Sequence, residues 1–392
     1  MSLSRVLFYF FTLGFSVPGL TQQLLNPIQY FDTTGARELT PFELSGEYYI
    51  AAAQSGRDLA LKQAQNKIGG DADVDVIIYK KHGEQFRVYQ RIPGHGNSSA
   101  TFFNLNGEAH IAIASYHSGP KSPFNPLTYS MLYRWDGRFF YPIQQFLTYG
   151  AKQSVYFNIG SRHFLAFANG IVNSENELNT EHTRSIIYEW DGTQFSPFQT
   201  LRSLRGESFK FFMMNKIPYL AFADSLDGGF LYRWDNGQFK IYQQFKGKGA
   251  QSFEHFVINN AHYLAYANSE SNSSVYQWNG KTFSPFQELP DAGARNFVHF
   301  YLNDQHYLMR VNYKLTVGDK GEFKMQSPLY QWEEGHFRII QNIPTFGGSS
   351  AHVFTMNQVL YMTIANCFNE KGQFNVNSVL YEITHGLSIE FG

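Results

Sequence analysis

The strongest constraint on this chain is a phrase that it repeats seven times. Its clearest copies run over residues 157–169 (Phe-Asn-Ile-Gly-Ser-Arg-His-Phe-Leu-Ala-Phe-Ala-Asn) and 256–268 (Phe-Val-Ile-Asn-Asn-Ala-His-Tyr-Leu-Ala-Tyr-Ala-Asn). The first anchor of each copy is a phenylalanine: Phe42, Phe103, Phe157, Phe212, Phe256, Phe300 and Phe354. Tyr49, His110, Phe164, Tyr219, Tyr263, Tyr307 or Tyr361 follows, and an aliphatic side chain comes next every time. Each phrase ends on a turn-forming polar residue: Gln54, Ser115, Asn169, Asp224, Asn268, Asn312 and Asn366.

Two further segments complete each copy. A tyrosine marks the third segment (Tyr79, Tyr133, Tyr188, Tyr232, Tyr276, Tyr330, Tyr381). The five tryptophans, Trp135, Trp190, Trp234, Trp278 and Trp332, each stand two residues after such a tyrosine. The fourth segment is Phe-x-x-x-Gln, ending at Gln90, Gln144, Gln199, Gln243, Gln287 and Gln341. Aromatics make up 17% of the residues, and this enrichment, with Gly and Asn at the turns, favours strands over leucine-packed helices. A period of about 44 to 60 residues with four short strand-like segments is the arithmetic of a β-propeller. The fold expected is all-β, a seven-bladed β-propeller of four-stranded blades.

The seventh copy lacks its fourth segment. Residues 26–36 align with residues 284–294, which are the fourth segment of copy five and the Gly-Ala that follows it. The N-terminal strand is therefore expected to complete the last blade and close the ring, leaving no open edge there. The competing expectation is that residues 387–391 form that outer strand. The repeated aromatics read as packing between blades, and the tryptophans, recurring at one register, as structure rather than sugar platforms.

Residues 1–19 combine Arg5, a short apolar run and small residues, the pattern of a secretory signal peptide. The propeller is then expected over 20–392. Asn97-Ser98-Ser99 and Asn272-Ser273-Ser274 are sequons, so Asn97 and Asn272 are candidate glycosylation sites on an extracellular route. The single cysteine, Cys367, reads as a buried small side chain. With 31 basic and 32 acidic residues the chain lacks the basic footprint of a nucleic-acid binder, and no later stretch is apolar enough to insert in a membrane.

The combination of Phe-x-x-x-Gly/Asn-x-x-Tyr-Leu-Ala-x-Ala-Asn, Tyr-x-Trp-Asn/Asp-Gly, Phe-x-x-Phe-Gln and Gly-Ala resembles the EAR (epitempin, or EPTP) repeat, from about residue 26 to the end. The family includes the LGI proteins. The resemblance implies a seven-bladed propeller, secreted or at the cell surface, that binds other proteins; in the LGI proteins it implies ADAM-family receptor ectodomains. This chain has no leucine-rich repeat and no laminin G-like domain before the propeller, so the receptor does not carry over. A channel calcium ion, a feature of the LGI branch, is not expected, because the positions opening the first strands are neutral: Ala151, Gly206, Ala250, Ala294 and Gly348.

The copies differ mainly between their second and third segments. That connection is short in copies four and five. It is long in copies one (55–73), two (116–128), three (170–183), six (313–326) and seven (367–377). In a ring these loops share one face and form a crescent, the expected partner surface. Its candidate contacts are Asp71, Asp73, Tyr116, Phe124, Tyr129, Asn173, Glu175, Tyr313, Phe323 and Phe368. Asp71-Ala72-Asp73-Val74-Asp75 opens like a calcium loop but lacks the following Gly and the closing Glu, so a solvated loop end is the reading.

No Gly-x-Ser-x-Gly, His-Glu-x-x-His, phosphate-cradling glycine loop or Cys-x-x-Cys occurs. A non-enzymatic module without cofactor or metal is expected, with an extracellular or cell-surface protein, glycosylated or not, as partner. The rival is a glycan-binding lectin that uses Tyr116, Phe124 and Tyr129. A glycosidase is the third reading, because its two acids can come from distant blades.

Overall fold

The computed structural model describes residues 22–60, 69–170, 184–317 and 320–387. Seven four-stranded antiparallel sheets stand around a central channel, and the described residues contain no helix. Blade 1 spans 36–92, blade 2 97–149, blade 3 151–202, blade 4 206–245, blade 5 250–289 and blade 6 294–346. Blade 7 takes its three inner strands from 348–387, and its outer strand is Gln22–Phe31, paired antiparallel with Ser378–Leu387. The N-terminal strand thus closes the ring. Residues 388–392 lie outside the described residues, as does the signal-peptide segment.

The phrase that repeats is the inner half of each blade. In blade 5, Ala250–Ile258 lines the channel and pairs with Ala261–Asn268. The turn between them is Asn259-Asn260, both at positive φ (49° and 64°), the tight hairpin geometry that Asn tolerates. The second strands carry the small and aliphatic side chains that the two sheet faces bury; Tyr263, Leu264, Ala265, Tyr266 and Ala267 are all at most 5% exposed. The first strands touch their neighbours in unbroken sequence around the ring.

The phenylalanine anchors pack between blades. Phe42 stacks on Phe102, Phe103 on Tyr156, Phe157 on Phe211, Phe212 on His255 and Phe256 on His299, each pair bridging adjacent blades at 4.0–4.6 Å between ring centroids. The tryptophans do the same farther out. Trp234 of blade 4 packs on Phe164 and Phe198 of blade 3, and Arg162 lies over its ring. Their role is scaffold, as their single register suggested.

The glutamines of Phe-x-x-x-Gln have a role that the pattern alone did not disclose. Every pairing of third and fourth strands carries a bulge one residue before the glutamine, as between Ile187 and Tyr188 opposite Gln199 and Pro197. A bulge re-aims the side chain beside it. Each glutamine reaches the next blade and clamps its fourth strand: Gln199 Nε2 donates to Phe239 O at 2.7 Å, and Phe239 N donates back to Gln199 Oε1 at 2.9 Å. Gln90, Gln144, Gln243 and Gln287 repeat this on Phe140, Phe195, Phe283 and Phe337. The N-terminal strand is held from both sides, because Gln341 receives Leu24 N and Leu25 N while Gln29 clamps Phe86. Gln199→Ala leaves the Phe239 N–H and C=O without partners. The expected loss is about 1–3 kcal/mol, read as a lower denaturant midpoint at unchanged slope.

Candidate functional site

Among the described residues, the second-to-third connections emerge on one face, where the first strands begin and the second strands end. The polar residues that end the second strands build the rim. Asp224 accepts from Leu204 N and Arg205 N with one oxygen and from Leu226 N and Asp227 N with the other, which shapes the short loop of blade 4. Asn169, Asn268 and Asn366 tie comparable backbone turns. The residue after each of them donates its N–H to the residue just before the first strand, as in Ser269 N to Gly249 O and Tyr313 N to Gly293 O.

The long loops lock onto one another across blades. In blade 1, Arg57 and Asp71 exchange two backbone hydrogen bonds and an ion pair at 2.6 Å. Asp73 Oδ1 accepts Gly119 N of blade 2 at 3.0 Å and lies 2.7 Å from His95 Nδ1. Burial works against the Asp73 charge, but His95 and Gly119 N–H hold its carboxyl below the usual range. Asp58 accepts Phe374 N and Asn375 N of blade 7. Phe374 fills the space over Gly35, Gly56 and Gly70, where a Cβ would fall within 2.9 Å of its ring. Phe323 of blade 6 meets Phe368 at 4.9 Å, and Phe368 meets Phe374 at 4.7 Å. With Cys367 these rings form a small core of their own, and Tyr313 packs against it.

This arrangement corrects several sequence expectations. Phe323 (4% exposed), Phe368 (6%) and Asp71 (6%) are buried. The two rings find apolar partners in neighbouring loops and the carboxylate finds Arg57, so none of them is presented on the loop surface. Asn97 is 0% exposed, and its amide donates to Gln54 O and Val74 O; a glycan there is incompatible with this packing. Asn272 is exposed on the short loop of blade 5. Asn173 and Glu175 lie outside the described residues. Phe124 is half-buried, packed on His117 at 4.2 Å and over Gly69. Tyr129 is 49% exposed and stands between Leu127 (39%) and the cross-strand Leu147 (44%), an apolar strip at the edge of the crescent. Cys367 is fully buried, its Sγ 3.8 Å from Ser55 Oγ.

Tyr116 and Tyr313 are half-buried beside the channel mouth rather than on the outer surface. The channel encloses ≈ 190 Å³ and is lined by the first strands of all seven blades. Arg37 donates to the Tyr313 hydroxyl at 3.2 Å and to Ser55 Oγ at 3.3 Å. Burial works against the Arg37 charge, while Cys367 and Tyr313 beside it raise its pKa, so the guanidinium stays charged. Lys152 Nζ donates to Glu207 Oε1 and lies over the Tyr116 ring. Burial works against ionisation of Glu207, but Lys152 and Arg295 hold its carboxyl below the usual range. Deeper in the channel, Glu254 pairs with Lys210 and Glu38 with His352. This donor set does not fit the calcium ion of the LGI branch. Calcium takes six to eight oxygen ligands, and each carboxylate here already serves a cation or histidine. Sequence reading missed the basic mouth because its members stand one per blade with no local motif.

An EPTP domain model matches residues 85–136 and 238–279, which span the blade 1–2 and blade 4–5 repeats. At those two segments the chain is similar to EPTP domains. The thrombospondin-type laminin G domain and EAR repeat-containing proteins of Homo sapiens and Mus musculus are each 27% identical to this chain over 155 residues. Those matches cover 38% of this chain and 22% of the relatives' length. A solved structure described as BBS1N in complex with ARL6DN, soaked with mercury, superposes with a TM-score of 0.55 over 93% of this chain and 99% of that one, at 11% identity. At that identity it shows the propeller fold alone. EPTP propellers are of a protein-interaction type.

Proposed function

We propose that this is a secreted EPTP-repeat propeller that binds an extracellular or cell-surface protein through its loop face and catalyses no reaction. The observation that carries the reading is the interlock of loops from blades 6, 7, 1 and 2. Elsewhere among the described residues the chain repeats a regular scaffold; here it departs from the repeat and stabilises the departure with a separate core, an ion pair within the blade 1 loop and cross-blade hydrogen bonds. Such a crescent presents a fixed surface to a partner. The N-terminal apolar run supports secretion, and no helix among the described residues is long and apolar enough to cross a membrane. The channel carboxylates Glu38, Glu207 and Glu254 are each paired with a basic side chain or histidine, which argues against a free acid–base couple. The lectin reading needs open aromatic platforms, and Tyr116 and Phe124 already pack against Lys152 and His117.

Tyr129 is the crescent-edge aromatic with the most exposed ring, so Tyr129→Asp tests the surface without touching the core. The expected result is at least a tenfold loss of binding to receptor-bearing cells with an unchanged melting temperature. Binding by the variant equal to wild type would exclude this edge as a contact. Glycosidase treatment of the cells is expected to leave binding in place; its loss there would favour the lectin.

A further inference from the structure

The charges of the channel do not balance at its loop-face end. Arg37 enters the mouth from blade 1 and Arg295 from blade 6, and both lie over one ring, Tyr313, with guanidinium carbons 5.3 and 5.1 Å from its centroid. Neither joins an ion pair among the described residues. Arg295 donates to no protein acceptor there, so its planar fork of N–H groups is unused. Lys152 is taken by Glu207, which also accepts the Ser225 hydroxyl. Two exposed cations, Arg205 and Lys314, stand at the outer rim. Burial, then Arg205, Arg37 and Arg295, depress the Lys314 pKa, which is the mark of crowded positive charge. Glu38 and Glu254 lie deeper and are paired.

Cations that outnumber their counter-charges in a partly buried site favour an anion. A guanidinium fork matches the oxygens of a carboxylate, phosphate or sulfate, and stacking on an aromatic ring fixes its plane. The channel volume of ≈ 190 Å³ exceeds several times the roughly 30 Å³ share of one water molecule, so one such group fits. We propose that the loop-face mouth of the channel binds a single oxyanion group between Arg37 and Arg295, with Tyr313 holding the two guanidiniums in place. The site concerns the ligand group, not the molecule that brings it, and it does not depend on the crescent's partner.

The test is isothermal titration of the full chain with inorganic sulfate and, separately, acetate, at one ionic strength kept with sodium chloride. One saturable site is expected for at least one probe, and the tighter probe identifies the group preferred. Arg295→Gln is expected to weaken it at least tenfold. Arg295→Lys, which keeps the charge and loses the fork, is expected to weaken it less. Glu207→Gln removes the carboxylate that pairs with Lys152 and is expected to tighten binding several-fold. Arg338→Gln, an exposed arginine paired with Glu334, is expected to change nothing. Non-saturating heats with both probes, or equal affinity in wild type and Arg295→Gln, overturn the proposal. No partner protein enters the measurement, so its failure leaves the proposed function standing.

Discussion

Deleting residues 22–31 is expected to abolish cooperative unfolding of the propeller. That strand buries Leu24, Leu25 and Phe31 at 1%, 0% and 1% exposure. At about 1.5–3 kcal/mol for each large apolar side chain, the three contribute roughly 5–9 kcal/mol, against a typical total stability of about 5–15 kcal/mol. Two clamps are lost with it, Gln341 on Leu24 and Leu25 and Gln29 on Phe86, so both blade 6 and blade 1 lose their grip on blade 7. The strand Ser378–Leu387 then presents an unpaired edge, which invites aggregation. A synthetic peptide of residues 22–35 added in trans is expected to restore a single thermal transition. Leu25→Asp in the full chain should reproduce most of the loss. A truncated chain that melts where the intact one does would show that the ring closes without this strand.

Acid is expected to destabilise the protein well above the carboxylate range. His255 and His299 stack on Phe212 and Phe256 of the preceding blades and are hydrogen-bonding partners of His262 and His306, at 3.1 and 3.0 Å. Burial first, then the neighbouring histidine and Lys210, push both down to about 3 from an ordinary 6.5. The folded state therefore takes up a proton less readily than the unfolded chain. The stabilising contribution of each is complete above pH 6.5 and is lost as pH falls from there toward 3. The slope is about 1.4 kcal/mol per pH unit for each histidine, so the pair costs about 4 kcal/mol by pH 5. His117, pushed down to about 4 by burial and then by Arg37, adds to the loss in the same direction. The equivalent position is Phe102 in blade 2 and Phe211 in blade 4, so the site accepts a phenyl ring. His255→Phe with His299→Phe is expected to flatten the fall in melting temperature between pH 7 and pH 5. An equal fall in the double variant and the wild type would place the acid sensitivity elsewhere.

Much of the architecture was legible because its causes are local. Asn259-Asn260 and Asn106-Gly107 adopt positive φ through their own chemistry, and the unbroken apolar run of Tyr263 to Ala267 marks a strand buried on both faces. Seven such copies plus an orphan fourth segment at residues 26–36 then fix blade number and closure by counting. The loop face was legible only as a place. Which of its residues are free depended on neighbours that no single copy contains. Phe323, Phe368 and Phe374 look like surface aromatics in two separate loops, and become a core only when blades 6 and 7 bring them together. Asn97 satisfies the sequon pattern, yet its amide is spent on two carbonyls from blade 1.

The sequence by itself determined the blade, the number of blades and the strand that joins first to last, because each follows from short-range pairing and from repetition. Tertiary structure alone decided the chemistry of the ring's axis. Arg37 and Arg295 lie far apart along the chain and carry no shared motif, and they meet over Tyr313 because closure sets blades 1 and 6 around one channel. Long-range electrostatics of that kind is a property of the closed ring, where side chains separated in sequence share one poorly solvated space.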